Sequence, residues 1–177
     1  GKALEKFRDY TGSNKLRWCI IAYPNKAWAK KMFPSLNANE ALKKQWEYIK
    51  KTVRLDYDNP IEAWKEHQER ITRRCKTLND AKITAFHYKN SLGTDVTVGM
   101  PKGYIFCGGA EKGELDGIYF TANMPTEEVF SCPDRNAVNG KIVAALPLCR
   151  NGQIIDKFWF EFNNGRIVDY GAEQGYD

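Results

Sequence analysis

Phe158-Trp159-Phe160-Glu161-Phe162-Asn163-Asn164-Gly165-Arg166-Ile167-Val168-Asp169-Tyr170 is the stretch whose reading decides the fold. Two short runs of aromatic and β-branched residues flank Asn164-Gly165, a dipeptide that tolerates the two positive φ angles of a type I′ turn. The pattern predicts a hairpin. Working outward, residues 83–88, 94–98, 104–107, 117–120, 140–146 and 154–162 also read as strands before the last at 166–170. Asn139-Gly140 and Asn151-Gly152 supply further turn signals. Short strands with no long helix between them argue for a mostly antiparallel sheet or barrel over residues 83–177.

Residues 1–82 have a different texture. Residues 2–9 form a short helical candidate, and 16–23 is a compact apolar run that reads as a buried strand ending at Pro24. Residues 25–33 look helical and stop before Pro34. Asn37 and Glu40 have the spacing of a capping box, followed by a helix with Leu42, Trp46, Ile49 and Val53 on one face. Asn59-Pro60 opens another helix, on which Ile61, Trp64, Gln68, Ile71, Cys75 and Leu78 form one packed stripe. The fold class is therefore α+β, with a helix-rich part carrying at least one strand over 1–82 and an antiparallel β part over 83–177.

Charge is unevenly spread. Residues 1–82 carry 19 Lys and Arg against 10 Asp and Glu, whereas 83–177 carry 8 against 12. A basic half could serve nucleic acid, but Lys65, Arg70, Arg73, Arg74 and Lys76 lie largely off the apolar stripe and read as a solvated helix face. No aromatic residues interleave with them as a stacking platform requires, so nucleic-acid binding is not expected. No apolar run long enough for a membrane span occurs, and the N-terminus, Gly1 to Phe7, lacks the apolar core of a signal peptide. The five cysteines, Cys19, Cys75, Cys107, Cys132 and Cys149, are odd in number and show no C-x-x-C spacing. Cys19 and Cys75 fall at apolar positions, which suits reduced core residues and a cytoplasmic compartment. Neither His67 nor His87 is flanked by a recognisable nucleophile motif, which argues against a cysteine protease.

The stretch with chemical content is Asn123-Met124-Pro125-Thr126-Glu127-Glu128-Val129-Phe130, followed by Cys132-Pro133-Asp134-Arg135. Two adjacent carboxylates run straight into an apolar pair. On spacing alone Thr126 caps a turn and both glutamates face water. If the segment is extended, Glu127 and Glu128 point to opposite sides and cannot chelate one ion together. Glu127 then reads as a surface residue or as the partner of a cation such as Arg135. His67 reads as structural beside the stripe of its helix, His87 as a hydrogen-bonded strand residue, and Asp95 as a turn residue. Gly108-Gly109 is either a close backbone approach or a plain turn. There is no HExxH motif, so the chain is not a zincin.

The octet around Glu127-Glu128 resembles the signature of cobalt- or zinc-activated bacterial metallo-aminopeptidases of the aminopeptidase T and aminopeptidase S type. Trp18 to Lys30, His87-Tyr88 with Gly93-Thr94-Asp95, Gly108-Gly109, Pro147-Leu148 with Asn151-Gly152, and Ala172 to Gly175 resemble the same family in the same order. The resemblance implies that Glu128 is a metal ligand. It also implies divalent metal ions such as zinc or cobalt, two per complete active site, with peptides as substrates and a homodimer as the assembly. The family's other ligands, a second Glu, two His and an Asp, would lie C-terminal to Asp177. The chain is thus expected to be an internal fragment of an aminopeptidase, inactive alone, with no complete catalytic set. The alternative is a non-catalytic binding or oligomerisation module derived from such an enzyme.

Overall fold

The computed structural model describes residues 2–175; Gly1, Tyr176 and Asp177 lie outside the described residues. The chain separates into two compact units, Gly1–Lys76 with Cys107–Val129, and Thr77–Phe106 with Phe130–Asp177. The expected parts, 1–82 and 83–177, differ from these units chiefly in where Cys107–Val129 belongs: that segment goes with the helices. The class is α+β, as the sequence predicts.

In the first unit α1 spans Glu5–Gly12, α2 Lys26–Met32, α3 Ala38–Thr52, and α4 Pro60–Asp80, which runs on past the unit's end. Their starts follow local chemistry. Asn25 accepts a hydrogen bond from Trp28 N, and the predicted capping box is complete, with Asn37 and Glu40 satisfying each other's backbone N–H groups. Pro60 opens α4, with Asn59 Oδ1 accepting from Glu62 N at 3.2 Å.

The buried stripes are rotated from the predicted ones. Ala41, Gln45, Ile49 and Val53 are buried from α3 and its cap, and Ala63, His67 and Ile71 from α4. Ile61, assigned to the stripe from its spacing, is 82% exposed, and Leu42 and Trp46 are only half-buried. The reason is that polar side chains with partners occupy the innermost positions. Gln45 donates to Met32 Sδ and His67 is fully hydrogen-bonded, so an apolar count mislocates the face.

The end of α3 is a Schellman turn. Arg54 N donates to Lys51 O at 3.2 Å and Leu55 N to Lys50 O at 2.8 Å, while Arg54 takes φ 60°. Glycine is the favoured residue at that position because the left-handed conformation crowds a Cβ, yet an arginine stands there. Trp64 seals the turn by donating to Val53 O at 2.7 Å.

The predicted buried strand at 16–23 is corrected. Only Ile20–Ile21 is a strand, paired in parallel with Asn123–Met124, and its side chains are exposed by 62% and 49%. Cys19 is exposed as well, which overturns its reading as a core residue. All five cysteines are free thiols, and burial pushes the half-buried Cys75 thiol up.

The second unit holds a five-stranded antiparallel sheet in the order Arg166–Gly171, Trp159–Asn163, Val138–Val143, Asp95–Gly99, Ala85–Lys89. Val96 and Thr94 are its most buried side chains. Of residues 104–107, predicted as a strand, only Cys107 is in one, in Cys107–Gly108, and 104–106 are tied down by side chains. Asn79 brackets the Phe106 backbone, and the Tyr104 hydroxyl accepts from Ile83 N and donates to Leu78 O. Asn164 and Gly165, at φ 48° and 76°, close the predicted hairpin between Asn163 and Arg166. Asn151-Gly152 does the same between Arg150 and Gln153. Asn139-Gly140 is not a turn. Gly140 lies inside a strand between Val96 and Phe162, where a Cβ would collide with Asp95 O.

Among the described residues no helix is long and apolar enough to cross a membrane.

Candidate metal-ligand loop

Pro125 to Glu128 joins the short strands Asn123–Met124 and Val129–Phe130 without regular structure of its own. It is held by side chains instead. Thr126 caps nothing; its carbonyl oxygen is 2.6 Å from Nε2 of His67, a residue of α4 with 2% exposure. The ring's other nitrogen, Nδ1, lies 3.0 Å from Arg54 Nη2 and 3.3 Å from Arg70 Nη2. A carbonyl only accepts and a guanidinium only donates, so the partners assign the tautomer: His67 carries hydrogen on Nε2 and accepts at Nδ1. His67 is thus structural, as predicted, but it stands in the middle of the buried face.

Glu127 is paired to a cation, though not to Arg135. Its Oε1 accepts from Arg54 Nη2 at 2.7 Å, and its Oε2 is 3.6 Å from His67 Nε2. Partial burial works against ionisation of this carboxyl. The Arg54 hydrogen bond and the neighbouring guanidiniums outweigh it and hold the carboxyl below the usual glutamate range. Arg54 itself is largely buried, lies over the Trp64 ring at 5.2 Å, and leaves Nη1 buried without an acceptor among the described residues.

Glu128 differs from its neighbour in having no partner among the described residues. Its side chain is exposed and makes no hydrogen bond or ion pair among the described residues. Its backbone is confined: Gly108 passes so close that a Cβ there would lie 2.5 Å from Glu128 O. A Cβ on Gly109 would strike the Gln68 side chain. The Gly108-Gly109 pair is therefore a close-approach feature against α4 and the loop. Beside the loop's start, Trp18, Leu55, Ile61, Trp64, Phe120 and Met124 line a mostly apolar cavity of about 710 Å³.

His87 and Asp95 lie in the other unit. His87 Nε2 is 2.7 Å from Asp95 Oδ1, and Lys89 Nζ is 2.6 Å from Oδ2, all on an exposed sheet face. Asp95 is the first residue of a strand and not a turn residue. No group of three or more His, Cys, Asp or Glu side chains among the described residues is placed to hold a metal ion. A free carboxylate is a suitable oxygen ligand for a hard or borderline divalent ion, but one carboxylate does not make a site. Sequence reasoning singled out the Glu128 loop and missed Arg54, for which no motif gives a signal.

The model of the thermophilic metalloprotease (M29) family matches residues 1–177. Aminopeptidase AmpS of Bacillus subtilis (strain 168) is 40% identical over 177 residues, covering 100% of this chain and 43% of the relative. Aminopeptidase 2 of Geobacillus stearothermophilus is 39% identical over 176 residues, covering 99% of this chain and 42% of the relative. The solved structure of wild-type AmpT from Thermus thermophilus superposes with a TM-score of 0.77 at 34% identity, over 88% of this chain and 37% of that one. The chain thus spans about two fifths of the length of the curated relatives it matches. With a matching family model across its whole length, the chain belongs to the thermophilic metalloprotease (M29) family.

Proposed function

We propose that this chain is part of a metal-dependent aminopeptidase that removes N-terminal residues from peptides, and that Glu128 is a ligand to its metal. One observation carries the assignment. In a loop whose Thr126 carbonyl and Glu127 carboxylate are both engaged, the Glu128 carboxylate is exposed and has no partner among the described residues. The aminopeptidase names of the relatives supply the reaction class. When bound, divalent ions such as zinc or cobalt, two per complete site, supply Lewis acidity and an activated water. The chain's own part is to present one carboxylate. In this reading the remaining ligands lie outside the described residues and the 177-residue chain is inactive by itself. The complete protein acts as a cytoplasmic homodimer in this reading. The test is peptide hydrolysis with and without a chelator. The 177-residue chain should show none, and the complete protein should show activity that the chelator and Glu128→Ala both abolish. Chelator-sensitive hydrolysis by the 177-residue chain would refute the reading.

A second reading, a non-catalytic association module, draws on exposed apolar surface. Ile61, at 82% exposure, borders the apolar cavity described above.

A further inference from the structure

We propose that Arg54 and His67 are positioning residues for Glu128, fixing the backbone of Thr126-Glu127-Glu128 so that the carboxylate is presented in one direction. The inference rests on Glu128 being a metal ligand.

Three successive residues of the loop are held by three separate segments of chain. His67 on α4 donates to Thr126 O at 2.6 Å. Arg54, after α3, donates to Glu127 Oε1 at 2.7 Å. Gly108 packs against Glu128 O. The loop has no ladder or helix to order it, so these contacts restrict backbone freedom that would otherwise smear the carboxylate over many directions.

Arg54 is also the hub. Its Nη2 has two hydrogens, one for Glu127 and one for His67 Nδ1, so a single nitrogen sets both the carboxylate and the imidazole that grip the loop. Helix capping does not explain an arginine there. The C′ position at φ 60° favours glycine, and Nη1 is buried without an acceptor among the described residues. Both features disfavour the side chain locally, and its bonds to Glu127 and His67 are what offset them.

The experiment uses the full-length protein titrated with Co²⁺, following the cobalt absorption spectrum and the thermal midpoint. Arg54→Gly should leave the midpoint close to the parent's, since the relief at the cap offsets the bonds lost, and yet weaken Co²⁺ affinity about tenfold with an altered spectrum. His67→Gln, which keeps an N–H for Thr126 O, should retain more affinity than His67→Ala. Wild-type affinity and spectrum in folded Arg54→Gly and His67→Ala would overturn the proposal. Glu128→Ala separates the two ideas. If it loses Co²⁺ while Arg54→Gly and His67→Ala retain it, only the positioning role falls. If Glu128→Ala binds normally, the ligand assignment falls and the positioning role with it.

Discussion

Arg54 and Glu127 are 73 residues apart in sequence and 2.7 Å apart in space, and their hydrogen bond ties the C-terminal cap of α3 to the loop that presents Glu128. The arginine is largely buried and the glutamate 59% exposed, so the pair is neither a solvated surface contact nor a sealed one. A double-mutant cycle of Arg54→Gly and Glu127→Gln, read by urea unfolding, should return a coupling of about 1 kcal/mol. A coupling near zero would mean that the contact orders nothing.

Glu128→Ala should leave stability within about 0.5 kcal/mol of the parent, because an exposed carboxylate without partners contributes no packing. Metal affinity of the complete protein should collapse on the same substitution. Substantial unfolding would instead make Glu128 a structural residue.

Asp95 sets an acid limb on the sheet. His87 and Lys89, in that order of effect, hydrogen-bond its carboxylate and hold it below the usual aspartate range. Because the folded value is depressed, this stabilisation is present above the unfolded value of about 3.9 and fades as pH falls through the folded one. The thermal midpoint should therefore drop on acidification below about pH 4, and Asp95→Asn should flatten that drop. The effect is small, since all three groups are exposed.

Gly140→Ala should destabilise the sheet by about 2 kcal/mol or more, measured by urea unfolding. At φ 109° a Cβ would collide with Asp95 O and press on Val96 Cα. Gly152→Ala is the control: its φ of 84° is also one that residues with a Cβ rarely adopt, but nothing lies within 4 Å of its Cβ. A loss no larger than that of the control would show that the strand shifts to make room.

Ile20, Tyr23 and Ile61 are exposed by 62%, 77% and 82%. Sedimentation of the 177-residue chain at rising concentration should show self-association. A monomer at every concentration would count against the association reading.

What the sequence determined by itself was whatever depends on neighbours a few residues away. The Asn37–Glu40 capping box, the Asn59-Pro60 helix start and the hairpins at Asn151-Gly152 and Asn164-Gly165 close through bonds or dihedrals within one turn of chain. The octet around Glu128 was likewise legible as a motif. Tertiary structure alone decided the rest. Asn139-Gly140 has the same two residues as the hairpin turns, but strands pairing on both sides place it inside the sheet. His67 is central to α4 because its partners, Arg54 and Thr126, approach from other segments, and periodicity counts apolar residues without seeing partners. Glu127 and Glu128 are the same residue type side by side. Only the approach of Arg54 to one of them makes the first a strut and leaves the second free, because a hydrogen bond formed through space leaves no spacing in the sequence to read.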